Sequence, residues 1–241
     1  MDNIKLDKLM NIIKESNNIV FFGGAGVSCA SGIPDFRGEN GLYKYSPEEI
    51  ISHHFFINHT KEFFEFYFSK MVYPNALPNR CHKALAYLES CGKLKGIVTQ
   101  NIDSLHQRAG SKNVCELHGS VMRNYCMKCH KFYSLSDLKL EGIPKCDCGG
   151  IIKPDVVLYE EGLDDKVINK SIKLISEADT LIVAGTSLVV YPAASFIRFF
   201  SGKNLVIINL SDTSFDNLAT LEINGKVEEY LNIDNFKKYK I

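Results

Sequence analysis

Neither sign of charge prevails in this chain. Its 241 residues carry 28 lysines and arginines against 28 aspartates and glutamates, a formal net charge of zero. A domain whose main task is gripping phosphate backbones needs a marked basic excess, so no direct nucleic-acid partner is expected. A basic peptide meeting a local acidic groove remains compatible with that balance. No apolar run approaches the ~20 residues that a membrane span requires. The opening Met1-Asp-Asn-Ile-Lys-Leu-Asp7 lacks the basic-then-apolar layout of a signal peptide. The expectation is a soluble, cytoplasmic chain without a membrane partner. Internal repeats, low-complexity tracts and charge blocks are also missing. The length suffices for a full core and falls between one large domain and a domain carrying an insert.

Against these absences stands one dense stretch, Gly23-Gly-Ala-Gly-Val-Ser-Cys-Ala-Ser-Gly-Ile-Pro-Asp-Phe-Arg-Gly38, directly after the apolar run Ile19-Val-Phe-Phe22. The run reads as a buried strand. Glycines at 23, 24 and 26 let the backbone turn sharply and approach a ligand, because no Cβ intervenes. A strand, a glycine turn and exposed N–H groups together suit a pyrophosphate. The third glycine of the usual dinucleotide fingerprint is lacking, since Cys29 takes its place. Alone, such a turn is as often an ordinary tight turn. Ile33-Pro-Asp-Phe-Arg37 adds an aromatic, a cation and an acid immediately afterwards.

Thr180-Leu-Ile-Val-Ala-Gly185 and Asn204-Leu-Val-Ile-Ile-Asn209 are β-branched runs of the kind buried on both faces of a parallel sheet. Gly96-Ile-Val-Thr99, Val114 to Leu117 and Lys153 to Tyr159 are further strand segments. Amphipathic helices are expected over Leu6–Ser16, Cys81–Cys91 and Asp164–Ala178, and another from Thr60 through Met71. Ser46-Pro-Glu-Glu49 has the composition of a helix start. Helices alternating with such strands make an α/β, doubly wound, Rossmann-like sheet the economical architecture. Residues 1–43, 79–120 and 154–241 would form it, while 44–78 and 121–153 would make a smaller domain of a helical module plus a module carrying grouped cysteines. Seven aromatics between Phe55 and Phe68 either pack that helical module's core or line an apolar channel. Core packing is favoured because aromatics dominate cores.

Eight cysteines in a cytosolic chain do not imply bridges. Cys29, Cys81, Cys91 and Cys115 are scattered, whereas Cys126-Met-Lys-Cys129 and Cys146-Asp-Cys148 offer four thiolates on two knuckles. Such a set suits one tetrahedral zinc with no position open for water, hence a structural metal, and less often a redox thiol pair. His118, in Leu117-His-Gly119 at a strand end, is placed to enter a cleft with glycine clearing space. Imidazole has the proton affinity of a general base near neutral pH, although a lone histidine is more often structural and motif context must supply the rest. The other six histidines are read as structural, with His130 beside Cys129 a stray ligand at most.

Gly24-Ala-Gly-Val-Ser28, Gly32-Ile-Pro-Asp-Phe-Arg-Gly38, Thr99-Gln-Asn-Ile-Asp103, Leu117-His-Gly119, the cysteine knuckles and Gly185-Thr-Ser-Leu-Val-Val-Tyr-Pro192 occur in the order of the sirtuins. Over nearly its whole length the chain resembles these NAD-dependent protein deacylases, in the size of the bacterial members. The resemblance implies pyrophosphate on Gly24, Ala25, Gly26 and the loop that includes Cys29. It implies adenosine near Gly185, Thr186, Ser187, Asn209, Leu210 and Val227. Nicotinamide would lie near Ala25, Ile33, Phe36, Asn101, Ile102 and Asp103, with the Asp103 carboxylate receiving the carboxamide N–H, and the Asp35-Phe36-Arg37 half of the loop would cover the reacting ribose. Catalysis would fall to His118 as base on a ribose hydroxyl and to Asn101, which with Gln100 orients the ribose. Arg37 would assist on the phosphate side and Phe36 would shield the reacting centre. The products would be nicotinamide, free lysine and O-acyl-ADP-ribose. Positioning and one base are most of what such a reaction asks of a protein. An acyl-lysine peptide would add as a strand along Val157, Leu158 and Tyr159.

Two departures stand out. Glu160 replaces the glycine usual after the aromatic, giving an acidic edge or merely a solvated charge. The aromatic helix carries Tyr67-Phe-Ser-Lys70 where members that remove acidic acyl groups have Tyr-x-x-Arg. Lysine lacks the fork that holds a carboxylate, so acetyl and longer apolar acyl groups are expected over succinyl. The rival expectations are a mono-ADP-ribosyltransferase in the same pocket, or a non-catalytic NAD or zinc sensor. A monomer is expected.

Overall fold

A computed structural model describes residues 2–35 and 47–241. The chain opens with helix α1 (Asn3–Glu15), whose N-terminus is capped by the Asp2 carboxylate accepting from the N–H groups of Ile4 and Lys5. Its Leu6, Leu9, Met10 and Ile13 recur at helical spacing and are all buried. Strand β1 (Ile19–Gly23) follows, then 3-10 turns over Ala25–Val27 and Cys29–Ser31. Next come α2 (Pro47–Ile50), α3 (His53–Asn58), α4 (Thr60–Lys70) and α5 (Arg80–Ser90). After β2 (Leu94–Thr99), the short α6 (Leu105–Arg108) and β3 (Val114–Glu116) come the strands β4 (Gly119–Cys126), β5 (Phe132–Ser134) and β6 (Ile152–Val156). The chain ends through α7 (Asp165–Ser176), β7 (Thr180–Ala184), β8 (Asn204–Asn209), β9 (Leu221–Asn224), α8 (Val227–Tyr230) and α9 (Ile233–Tyr239).

Six strands form one sheet in the order β3-β2-β1-β7-β8-β9, every pairing parallel. Skipping the inserted strands, this is the doubly wound order whose sequence reverses between the first and fourth strands. Alternation along the strands divides the core. Ile19, Phe21, Ile97, Ile182, Val206 and Ile208 pack under α1, α5, α8 and α9. Val20, Phe22, Val98, Leu181, Val183 and Ile207 pack under α7 and the 3-10 segment Ala193–Phe199. Both faces are therefore covered, which explains the continuous β-branched runs.

β5, β4 and β6 make a separate antiparallel sheet. Phe55, Phe56, Phe63, Phe64 and Tyr67 from α3 and α4 are buried against its Val121 and Val156. Of the two readings of the aromatic stretch, core packing is the one observed for these five rings. The far end of α4 behaves differently: Lys70 and Met71 reach a cavity wall. Phe36, Arg37 and the helix-start Ser46 lie outside the described residues.

Candidate active site

The predicted binding residues stand at strand carboxyl ends. β1 leads into Gly24–Asp35, β2 into Gln100–Asp103, β3 into His118, β7 into Gly185–Ser187, β8 into Asn209–Leu210, β9 into Val227 and β6 into Val157–Tyr159. Open parallel sheets bind ligands at this edge, where the strand order reverses. Here these loops surround one cavity of about 1090 Å³. Its wall includes Gly24, Ala25, Gly26, Cys29, Ile33, Asp35, Gln100, Asn101, Ile102, Asp103, His118, Gly185, Thr186, Ser187, Asn209, Leu210, Val227, Val157, Leu158 and Tyr159.

The glycines of the first loop also have a task within the fold. A Cβ on Gly24 would come within 2.7 Å of Thr186 Cβ, and one on Gly26 within 2.7 Å of the Gly185 Cα. Gly26 N–H donates to the Gly185 carbonyl at 2.9 Å. The loop after β1 is thus packed, backbone on backbone, against the loop after β7. The close approach these glycines allow is first to their own chain.

Behind this seam lies a polar cluster. Ser28 donates to Asp103 Oδ2 at 2.6 Å, and the Asn101 amide lies 3.1 Å from the same hydroxyl as donor. Leu105 N–H donates to Asp103 Oδ1 at 2.8 Å. Burial pushes the Asp103 carboxyl upward, while the Ser28 and Leu105 donors pull it back. Gln100 reaches the Thr186 hydroxyl at 3.1 Å, and Asn209 exchanges two hydrogen bonds with the Thr186 backbone. Ser28 closes the motif Gly24–Ser28, but the motif alone assigns that serine no role. Only the fold shows it bridging Asn101 and Asp103.

His118 Nδ1 lies 3.0 Å from the Gln100 carbonyl. A carbonyl can only accept, so Nδ1 carries the hydrogen and Nε2 keeps its lone pair. Burial lowers the imidazole below its ordinary pKa, partly offset by that bond, which leaves a neutral ring at pH 7. The neighbouring glycine meets a constraint from another strand. Gly119 has φ of +74°, and a Cβ there would stand 1.9 Å from the Asp155 carbonyl. Glycine is required because β4 and β6 meet at this point, where Gly119 pairs with Val156.

Along the expected peptide-binding edge the backbone N–H groups have partners within the chain. The N–H groups of Val157, Leu158 and Tyr159 already donate to the His118 carbonyl, Glu161 Oε2 and the Ile51 carbonyl. Glu160, at φ +76°, accepts from His54 N–H at 2.8 Å. Its carboxylate caps α3 and is thereby more than a solvated charge.

The four cysteine sulfurs of residues 126, 129, 146 and 148 lie within 4.8 Å of one another, with 3.5 Å between Cys126 and Cys148 and 3.6 Å between Cys129 and Cys146. A tetrahedral zinc at about 2.3 Å from each sulfur needs edges of about 3.8 Å, so the set fits. A Cβ on Gly150 would sit 2.6 Å from Cys126 Sγ, so that glycine makes room for a ligand. The Tyr133 hydroxyl, 3.1 Å from Cys146 Sγ, favours the thiolate there. His130 is exposed and outside the cluster.

Residues 24–192 match the model of the Sir2 family. An NAD-dependent protein deacetylase of Clostridium acetobutylicum is 61% identical over 236 residues, covering 94% of this chain and 96% of that protein. A solved Sir2 structure with a deacetylated peptide and 3'-O-acetyl ADP-ribose superposes with a TM-score of 0.88 at 40% identity, covering 97% of both chains. A Sir2 homologue in complex with NAD gives a TM-score of 0.88 at 38% identity, covering 97% of this chain and 93% of the other. The chain belongs to the Sir2 family.

Proposed function

We propose that this cavity removes acetyl groups from protein lysines in an NAD-dependent reaction, and that its own residues divide the work as follows. The enzyme is a Sir2-type protein deacetylase with NAD as co-substrate and one structural zinc. Bound at the β1–β7 seam, NAD supplies an electrophilic ribose carbon and nicotinamide as its leaving group. Ser28, Asn101 and Asp103 form a donor–acceptor set that suits a carboxamide: a carboxylate for its N–H and an amide for its carbonyl. Asn101 and Gln100 hold the ribose side of the pocket, with Gln100 fixed by Thr186. His118, neutral and with Nε2 free to accept, takes the proton from the ribose hydroxyl. Leu158 and Val157 flank the lysine stem and keep water from the reacting centre. Phe36 and Arg37 keep the roles that the sirtuin resemblance implies. The four cysteines hold the three-stranded sheet and take no part in the chemistry.

We further assign residues 1–43, 79–120 and 154–241 to the NAD-binding domain and 44–78 with 121–153 to the small domain. The enzyme acts as a cytoplasmic monomer on acyl-lysine peptides, accepts apolar acyl chains longer than acetyl, and has no nucleic-acid partner. Among the described residues no helix is long and apolar enough to cross a membrane.

The observation that carries the assignment is the His118 tautomer, fixed by the Gln100 carbonyl in the same cavity as the Ser28–Asn101–Asp103 set. The test is nicotinamide release from NAD with and without an acetyl-lysine peptide, on wild type and His118→Ala. Release should require the peptide, and deacetylation should fall ~10²–10⁴-fold in the variant. Peptide-independent release would indicate an ADP-ribosyltransferase, and no release a sensor.

A further inference from the structure

Ser104, next to Asp103, has φ of +57° and ψ of +23°. Left-handed backbone at a residue other than glycine is costly and persists only where its surroundings impose it. Here the surroundings are specific. The Ser104 hydroxyl donates to Glu116 Oε1 at 2.9 Å and lies 2.7 Å from the Ser120 hydroxyl. A carboxylate only accepts, so Ser120 donates to Ser104 in turn. The second oxygen of Glu116 receives Arg123 at 2.6 Å, and the same guanidinium binds Asp155 at 2.7 Å. Val121 N–H holds the Ile102 carbonyl at 2.9 Å. The 102–104 loop is thus pinned at both ends to β4, the strand that runs on to the zinc ligand Cys126.

The Glu116 side chain is 7% exposed and its Arg123 partner 37%. A mostly buried carboxylate held by one N–H of a guanidinium whose Nε is itself held by Asp155 is a stiff anchor. Arg123 joins two further strands through it, since Glu116 ends β3 two residues before His118 and Asp155 lies on β6 two residues before Val157. One guanidinium therefore connects the strand bearing the base, the strand leading to the peptide edge and, through Ser104, the loop bearing Asp103.

We propose that Glu116 and Arg123 are positioning residues for the nicotinamide subsite, acting through the left-handed Ser104; this rests on the reading of Ser28, Asn101 and Asp103 as that subsite. With the anchor loosened, Ser104 relaxes toward ordinary backbone and carries the Asp103 carboxylate off its position. Nicotinamide then binds less well, while the chemistry at saturation persists.

Exchange of labelled nicotinamide into NAD, in the presence of an acetyl-lysine peptide, separates the effects. In Arg123→Gln the KM for nicotinamide should rise three- to tenfold, with kcat for exchange within twofold of wild type. Mere destabilisation would lower the active fraction, and so kcat, without moving KM. Ser104→Gly supplies the second arm, because glycine adopts positive φ without cost. In the Ser104→Gly background, Arg123→Gln should raise KM less than twofold. Should Arg123→Gln fail to fold, Glu116→Gln, which keeps the shape and an acceptor for Ser104, is held to the same criteria. An unchanged KM in the folded variant, or an equal rise in both backgrounds, would overturn the proposal. No exchange by wild-type protein would overturn the nicotinamide assignment itself.

Discussion

His82 and His106 face each other inside the larger core cluster, and their burial makes the fold sensitive to acid. Their ring centroids are 4.7 Å apart, and Phe21 stands edge-on to His106 at 6.0 Å. His82 Nδ1 accepts the Asn79 N–H that completes a capping box at the start of α5, while its Nε2 and both nitrogens of His106 have no partner among the described residues. Burial lowers His82 from 6.5 to about 4 and takes His106 well below its ordinary value, with the neighbouring His82 charge a further cause. Above about pH 6.5 the rings are neutral in both folded and unfolded chains, so proton binding changes nothing. Below it the unfolded chain takes up protons that the fold refuses. Stability therefore falls from about pH 6.5 toward pH 4, where the His82 contribution levels off.

At 1.36 kcal/mol per pKa unit, His82 alone lowers stability by about 2 kcal/mol between pH 8 and pH 5. That is a large share of the ~5–15 kcal/mol by which domains are stable. Urea unfolding at both pH values, on wild type and His82→Gln, measures it. Glutamine does not titrate and keeps an acceptor for Asn79. Whatever its stability at pH 8, its loss on going to pH 5 should be about 2 kcal/mol smaller than that of wild type. Equal losses in the two proteins would show that His82 does not titrate as its burial requires.

Three further outcomes follow from single observations. The acid limb of kcat/KM should lie below the ordinary histidine value of about 6.5, because burial depresses His118; a limb above it in a pH profile would contradict the neutral, buried base. Glu160→Gly should change stability by less than about 1 kcal/mol in urea unfolding, since relief of the left-handed backbone offsets loss of the cap on α3; a loss above about 2 kcal/mol would mean that the carboxylate holds more than His54. Gly150→Ala should weaken zinc retention against a chelator, because its Cβ would meet Cys126 Sγ, and deacetylation should be lost only as near-ultraviolet circular dichroism is lost; inactivity of a zinc-free but folded protein would give the metal a part in the chemistry.

Much of this architecture is legible along the chain because the central strands are buried on both faces. β1, β7 and β8 read as apolar runs, β1 leading into glycines and β7 and β8 into small polar residues, all on the cavity wall. β9 is not legible: as an edge strand, Leu221-Glu-Ile-Asn224 buries only alternate residues and is too short to show a period. The irregular register between Ser120 and Asn124 similarly hides the start of β4. At the site, His118 is legible as a candidate base by its type and motif, and Asp103 through the sirtuin resemblance; both line the cavity. Residues that act by position are not legible. Nothing in the order of residues says that Arg123 meets Glu116 and Asp155, or that Ser28 lies between Asn101 and Asp103, because each contact joins segments brought together only by the sheet.

The missing third glycine of the loop after β1 has a physical explanation in this geometry. In the usual fingerprint that glycine lets a helix start close to the strand beneath it. Here no regular helix starts: two 3-10 turns follow β1, Cys29 heads the second, and it is exposed on the cavity wall. Close packing is demanded one turn earlier, at Gly24 and Gly26, and its partner is the left-handed Gly185 at the end of β7. A Cβ on Gly185 would stand 2.5 Å from Val27 N, so neither loop could gain a side chain at these contacts without moving the other. The constraint that the fingerprint expresses between a strand and its own helix is met in this chain between two neighbouring strand ends. That seam orders the residues on both sides of it, from Ser28 facing Asp103 to Thr186 facing Gln100.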